Sequence, residues 1–150
     1  YGTGDYMEEC LKIIKEENLQ NIVYASKSFF AVEDLPYLLK DKDLGIIGNR
    51  NLPVAKYLLP VKMLEYMASG IPVITPRLEN ISYYFNESMV CFYKPGNIDD
   101  LANKIVYLYS HPEARGKIKE SAYEFIQKNN WQVEERKYYS LISKNFTVYP

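Results

Sequence analysis

Apolar and polar residues recur along this chain with two spacings, one typical of amphipathic helices and one typical of short buried strands. Both occur in succession in residues 58–76, which read LLPVKMLEYMASGIPVITP. Residues 61–69 carry apolar side chains at helical spacing, Pro60 suits the helix start, and Gly70 follows as a stop. Residues 71–74 then form an unbroken apolar run, which predicts a strand buried on both faces of a parallel sheet.

The same alternation extends to both sides of this stretch. Further strands are predicted at Asn21–Ala25, Asp43–Ile47 and Met89–Phe92. Helices are predicted at 5–18, 33–40, 97–108, 112–128 and 131–143, with a helical turn within 77–85. Asp5 and Glu8 have capping-box spacing at the first helix, and Asn97 and Asn130 precede two later ones. Strands that alternate with helices predict an α/β, Rossmann-like domain with a parallel sheet and helices on both faces.

Composition narrows the function classes. The 150 residues are 47% hydrophobic and 25% charged, as in an ordinary globular domain, and the net charge of −1 gives no case for nucleic acid or an anionic membrane. No apolar run approaches membrane-spanning length. Cys10 and Cys91 lie in apolar contexts without metal-ligand spacing, which predicts buried thiols in a reducing, cytoplasmic compartment.

Two polar residues interrupt the central helix, Lys62 and Glu65, three positions apart. One interpretation is a solvated surface ion pair of little energetic consequence. The other starts from position, because a helix that begins at the carboxyl edge of a parallel sheet binds anionic ligands. Lys62 would then neutralise a phosphate, and Glu65 would accept hydrogen bonds from vicinal hydroxyl groups. Spacing alone leaves both interpretations open.

The stretch LPVKMLEYMASGIPVITPRL resembles the donor-site signature of retaining, nucleotide-sugar-dependent glycosyltransferases of family 4, which have the GT-B fold. The resemblance implies that Glu65, the second glutamate of a Glu-x7-Glu pair, binds the nucleotide ribose. The first glutamate, which contacts the donor sugar in that family, is replaced by Tyr57. The helix start at Pro60 and Val61, with Lys62, is implied to stabilise the leaving diphosphate.

Other loops supply further candidates. The family resemblance implies that the loop containing Lys27 and Ser28 meets the nucleotide base, although an ordinary surface turn is an equal alternative. Arg50, which follows a predicted strand, would face an anionic donor or simply lie on the surface. The single histidine, His111, precedes a proline at a helix start and is interpreted as a surface or capping residue rather than a catalytic one.

The resemblance implies that residues 1–150 are the donor-binding, C-terminal half of a longer two-domain enzyme, truncated at its N-terminus and inactive alone. That enzyme would transfer a sugar from a UDP- or GDP-sugar to a saccharide or lipid-linked acceptor held by the other domain, in polysaccharide or glycoconjugate synthesis. No catalytic residue is assigned within the chain. A metal-independent reaction without cofactor is expected, although the spacing Asp-x-Asp does occur once, at Asp41 and Asp43.

Two other classes stay open. A sugar-nucleotide epimerase has the same GT-B fold, but it needs acid–base carboxylates, and Glu65 is the only candidate. A non-catalytic module that binds a nucleotide or a partner fits the replacement at Tyr57. The full-length enzyme is expected in the cytoplasm, with peripheral membrane contact as an alternative.

Overall fold

The computed structural model describes residues 4–49 and 53–145. These residues form two compact units, one up to residue 38 and one from residue 39 onwards. The first unit contains helix α1 (Met7–Glu16) and a 3₁₀ turn (Val32–Asp34), and α2 (Leu35–Leu39) spans the boundary. The elements of the second unit are β1 (Gly45–Ile46), a 3₁₀ helix (Pro53–Tyr57), α3 (Val61–Ala68), β2 (Val73–Pro76), α4 (Glu79–Tyr84), β3 (Cys91–Tyr93), α5 (Ile98–Ser110), α6 (Pro112–Lys128) and α7 (Trp131–Asn145).

The N-terminal helix departs from its prediction in two respects. Its N-cap is Tyr6, and no side chain from residue 4 onwards in the described chain caps it, so the predicted capping box of Asp5 and Glu8 is wrong. The Glu8 carboxylate instead forms an ion pair with Lys27. Cys10 is exposed on α1, so its predicted burial is also wrong, whereas Cys91 is half-buried on β3.

The strand predicted at residues 21–25 does not form. Asn18 has a φ of 55° at the end of α1, and the backbone N–H groups of Ile22 and Val23 both donate to the carbonyl of Leu19. These bonds close a turn and use two donors that a strand would need for its ladder. Ile22 and Tyr24 are consequently 81% and 79% exposed.

The three remaining strands form a parallel sheet in the order β1-β2-β3. Gly45 pairs with Val73, and Ile74 pairs with Cys91. Parallel pairing requires a crossover between successive strands, and α3 and α4 supply the two crossovers. The predicted parallel sheet is therefore confirmed, with strand bounds shifted by one or two residues.

Helices cover both faces of this sheet because neighbouring strand residues point to opposite sides. Val73 packs in one core cluster with Met63 and Met67 of α3. Ile74 packs in a second cluster with Leu108 of α5 and Ile118 of α6. The predicted two-sided burial of the central strand is confirmed, since all four residues of β2 are buried.

The C-terminal helices follow their predictions closely. The Asn97 side chain accepts a hydrogen bond from the Asp100 N–H at 2.9 Å, which caps α5, and Asn130 accepts from the Val133 N–H at 3.1 Å at the start of α7. His111 lies exposed between α5 and α6 with its ring stacked on Tyr107. Within the residues described, no helix combines the length and the apolar character that crossing a membrane requires.

Candidate functional site

The ends of all three strands lie at one edge of the sheet. The Ile47 N–H donates to the Ile74 carbonyl at 2.9 Å, and the Arg77 N–H donates to the Tyr93 carbonyl at 2.9 Å, so parallel pairing continues to the carboxyl end of each strand. The loops that follow β1, β2 and β3 therefore leave the sheet together. In open parallel sheets this edge is where ligands bind.

A buried tyrosine ties two of these strand ends together. The Tyr93 hydroxyl donates to the Ile47 carbonyl at 3.1 Å, although 46 residues separate them. Burial raises the pKa of Tyr93, so the hydroxyl keeps its proton and remains a donor. The bond fixes the end of β1 relative to β3 and thereby sets where the loop towards α3 begins.

A second hydrogen bond holds the loop that leads into α3 at the same edge of the sheet. The Asn80 side-chain amide, in the first turn of α4, donates to the Leu58 carbonyl at 2.6 Å. Pro60 is the N-cap of α3 with an extended backbone, and within the part of the chain that the structure describes no side chain caps the helix. The helix end therefore keeps the backbone donors and the positive dipole end that bind anions.

The two residues that follow Pro60 point outwards. Val61 and Lys62 are both exposed in the first turn of α3. The four ion pairs among the described residues do not include Lys62 or Glu65, so the predicted alternative of a Lys62–Glu65 surface pair is wrong. The ammonium group of Lys62 thus adds an unneutralised positive charge to the helix start.

Glu65 lies one turn further along α3 and is half-buried. It lines a cavity of about 700 Å³ whose walls are mainly apolar, with contributions from Leu59, Phe125 and Trp131. Among the described residues its carboxylate has no hydrogen bond or ion pair. Burial raises the pKa of the neighbouring Tyr66, and the negative charge of Glu65 raises it further. A partly desolvated carboxylate without a partner is suited to accept hydrogen bonds from ligand hydroxyl groups.

The other predicted site residues are placed as follows. Tyr57 ends the 3₁₀ helix before α3 and is 82% exposed. Lys27 is exposed and paired with Glu8, and the Ser28 N–H donates to the Ser26 hydroxyl at 3.1 Å. Arg50 lies outside the described residues.

The structure thus brings Pro60, Val61, Lys62 and Glu65 together on α3, with Tyr57 just before it. Lys27 and Ser28 belong to the first compact unit, and their role in the same site stays a prediction.

Sequence reasoning missed two residues that shape this edge, Asn80 and Tyr93. The Asn80 side-chain oxygen is buried and has no partner among the described residues, while its amide holds the α3 loop. The available signal was positional, because Asn80 follows the end of the central strand by only four residues. Nothing in the local pattern distinguishes Tyr93 from the other fourteen tyrosines, since its partner lies on another strand.

Known proteins of similar sequence place the chain in a family. The model of the family described as glycosyl transferase-like matches residues 10–137 of the chain. The chitobiosyldiphosphodolichol beta-mannosyltransferase of Candida glabrata is 29% identical in an alignment of 137 positions, gaps included, that covers 87% of this chain and 29% of that protein. The chain therefore spans under a third of the length of this relative.

Solved structures show the same fold. A glycosyltransferase from Rickettsia africae superposes with a TM-score of 0.78 at 19% identity, covering 97% of this chain and 38% of that one. Anabaena HepE, crystallised with UDP-glucose, gives 0.77 at 21% identity, with 95% and 38% covered. The C-terminal domain of LpcC from Francisella tularensis gives 0.67 at 19% identity, with 83% and 62% covered.

These likenesses establish an α/β fold that matches the C-terminal domains of GT-B glycosyltransferases. The family model extends over most of the chain, from α1 into α7, and includes the whole sheet and α3. On that match, the chain belongs to the glycosyl transferase-like family.

Proposed function

We propose that the chain is the donor-binding half of a longer two-domain glycosyltransferase. That enzyme transfers a hexosyl group from a nucleoside diphosphate sugar to a saccharide or lipid-linked acceptor. The observation that carries the proposal is the start of α3 at the carboxyl edge of the sheet. There the helix end, Lys62 and the half-buried Glu65 lie within five residues of each other, and among the described residues no side chain caps the helix or pairs with either charge.

Each group on α3 has a part in this proposal. The diphosphate of the donor lies at the helix N-terminus, where backbone N–H groups and the Lys62 ammonium offset the charge that grows on the leaving group. The Glu65 carboxylate accepts hydrogen bonds from the ribose hydroxyls. The exposed ring of Tyr57 lies at the position of the sugar-binding glutamate of family 4, and the base contacts the loop of Lys27 and Ser28.

The relatives support this choice of substrates. Anabaena HepE was crystallised with UDP-glucose and with UDP and glucose. The Candida relative is a mannosyltransferase named for a saccharide linked through diphosphate to dolichol. A lipid-linked acceptor in the present enzyme would bring it to a membrane surface, where the acceptor resides.

Kinetics of the full-length enzyme test the role of Glu65. A hydrogen bond to a charged group contributes about 1.5–3 kcal/mol, so Glu65→Ala should raise the donor KM about 10- to 100-fold. Glu65→Gln keeps an acceptor oxygen but loses the charge, so its donor KM should lie between those of the wild type and Glu65→Ala. Glu124→Ala removes an exposed carboxylate on α6 and serves as the matched control.

One kinetic result would contradict the proposed role of Glu65. A Glu65→Ala enzyme with wild-type donor KM and kcat would end the assignment of α3 as the donor site. Lys62→Ala should lower kcat more than it raises KM, because charge on the leaving diphosphate grows in the transition state.

We further propose that leaving-group stabilisation by α3 needs no metal ion and that the donor's anomeric configuration is retained, as in family 4. For the first part we expect full activity in excess chelator, with no increase when Mg²⁺ or Mn²⁺ is added. Proton NMR of the initial product tests the second, since an inverted anomeric signal would place the enzyme in a different mechanistic family.

A further inference from the structure

A second cavity lies away from α3, between the edge strand β3 and helices α5 and α6. Its volume is about 500 Å³, and none of the predicted donor-site residues lines it. Its floor is Cys91 and Phe92 of β3, and Lys104 and Lys117 project from the two helices at its sides. The donor site proposed above does not account for this cavity.

The charge of the cavity differs from that of the chain as a whole. Arg77, Lys104 and Lys117 line it together with a single carboxylate, Glu87, which leaves a formal surplus of two positive charges. The whole chain carries a net charge of −1. Two cations concentrated beside apolar walls produce a local field that attracts anions.

One of the cations is already held in place. The Arg77 guanidinium donates to the Glu87 carboxylate at 2.6 Å and stacks 4.2 Å from the centroid of the Phe92 ring. That hydrogen bond lowers the pKa of Glu87, so the pair stays ionised at neutral pH. Lys104 and Lys117 have no ion pair among the described residues, and so their charges remain available to a ligand.

The other residues that line the cavity indicate which further groups a ligand would contain. Val90 and Ile118 are buried apolar residues, and Ser121 provides a hydroxyl group at the same cavity. The Ser88 hydroxyl, which also lines it, already donates to the Asn86 side-chain oxygen at 2.6 Å. Burial raises the pKa of Cys91, so the thiol is neutral and adds no negative charge. The lining thus combines two ammonium groups that have no ion pair among the described residues, the Ser121 hydroxyl and a small apolar surface.

We propose that this cavity binds a small organic phosphate monoester. The dianionic phosphate contacts Lys104 and Lys117, whose two charges it balances, and the organic part lies against Phe92 and Ile118. Phosphate matches the site better than a carboxylate does because its charge of nearly −2 at neutral pH equals the cationic surplus. The inference is independent of the donor site and holds whether or not α3 binds a nucleotide.

Calorimetric titration of the protein with glycerol 3-phosphate, and with inorganic phosphate as the minimal probe, tests the proposal. Saturable binding that weakens with added salt is expected. Lys104→Ala and Lys117→Ala should each weaken it about tenfold or more, and the arginine replacements should retain most of it. Lys119→Ala, on the same helix but outside the cavity, should leave binding unchanged.

A second readout locates the ligand. Cys10 is exposed on α1 and Cys91 lines the cavity, so the two cysteines form a reference and a probe. Saturating glycerol 3-phosphate should slow alkylation of Cys91 by a neutral reagent at alkaline pH and leave the rate at Cys10 unchanged. Protection should disappear in the Lys104→Ala/Lys117→Ala double variant.

Three outcomes would overturn the proposal. The first is that neither probe shows saturable binding. The second is that Lys62→Ala abolishes binding while the Lys104→Ala/Lys117→Ala double variant retains it, because the phosphate would then be bound at α3. Binding to phosphatidic acid vesicles without any binding of soluble glycerol 3-phosphate would identify a lipid-surface contact in place of a small-molecule cavity.

Discussion

At the residue scale, two polar side chains near the carboxyl edge of the sheet differ in whether the protein itself satisfies them. Tyr93 is 7% exposed and donates to the Ile47 carbonyl. Glu65 is half-buried and has no partner among the described residues. A buried polar group with a partner stabilises the fold, whereas one left without a partner has a cost that a ligand can remove.

Tyr93→Phe tests the structural half of that contrast. Removing the hydroxyl leaves the Ile47 carbonyl without its side-chain donor, and the free energy of unfolding should fall by about 1–2 kcal/mol. Urea unfolding of the variant and the wild type measures the difference. Tyr109→Phe, which changes a largely exposed tyrosine on α5, should alter stability by less than about 0.5 kcal/mol; equal losses in both variants would contradict the assignment.

At the element scale, α3 is positioned by packing on its inner side. Met63 and Met67 are buried against the sheet, and the Tyr66 ring lies directly over Gly45 of β1. A β-carbon at residue 45 would collide with that ring. The close approach of α3 to β1 therefore depends on a glycine, and it fixes the direction in which the start of the helix points.

Gly45→Ala should consequently destabilise the protein by about 1–3 kcal/mol, the usual cost of overpacking. Tyr66→Leu in the same chain should restore part of the loss because it removes the ring that the new methyl group meets. Gly48→Ala is the control, since a β-carbon there meets nothing within 4 Å. Thermal unfolding of the three variants gives the comparison, and a neutral Gly45→Ala would show that α3 does not approach β1 this closely.

Helices whose formation depends mainly on their own residues were predicted well from the sequence. The bounds of α6 match the prediction, and the Asn caps of α5 and α7 are confirmed, because proline, asparagine and apolar spacing act within one helix. The strand predicted at residues 21–25 failed for the complementary reason. Ile22 and Val23 have strand-like composition, but a strand needs a neighbour, and their N–H groups are bonded to Leu19.

The candidate site divides in the same way. Lys62 and Glu65 were predicted because helix spacing and the strand that follows place them on α3. Asn80 and Tyr93 were not predicted, since each acts on a residue at least 22 positions away. Local pattern thus identifies the candidate binding groups on α3, and contacts between distant segments determine how firmly that helix start is held.

At the scale of the whole molecule, burial of protonated groups makes stability depend on alkaline pH. Burial raises the pKa of Tyr66, Tyr93 and Cys91, so the folded state holds these protons more tightly than the unfolded chain does. Their stabilising contribution is complete below the ordinary pKa values and is lost as pH rises through the raised ones.

The free energy of unfolding should therefore decline above about pH 9, where the unfolded-state thiol and then the phenols begin to ionise. Urea titrations at intervals from neutral to strongly alkaline pH measure this. Tyr66→Phe should show a shallower decline than the wild type, because one of the three ionising groups is gone. A wild-type stability that stays constant through this range would contradict the burial of these side chains.

The most direct test of the central claim, that the Glu65 carboxylate holds the ribose of a nucleotide bound at the start of α3, is a calorimetric double-mutant cycle. Wild type and Glu65→Ala are each titrated with the better-binding of UDP and GDP and with its 2′,3′-dideoxy form. The account predicts that losing the hydroxyls and losing the carboxylate overlap, with a coupling free energy of about 1 kcal/mol or more. Additive losses, with a coupling indistinguishable from zero, would show that Glu65 does not contact the ribose.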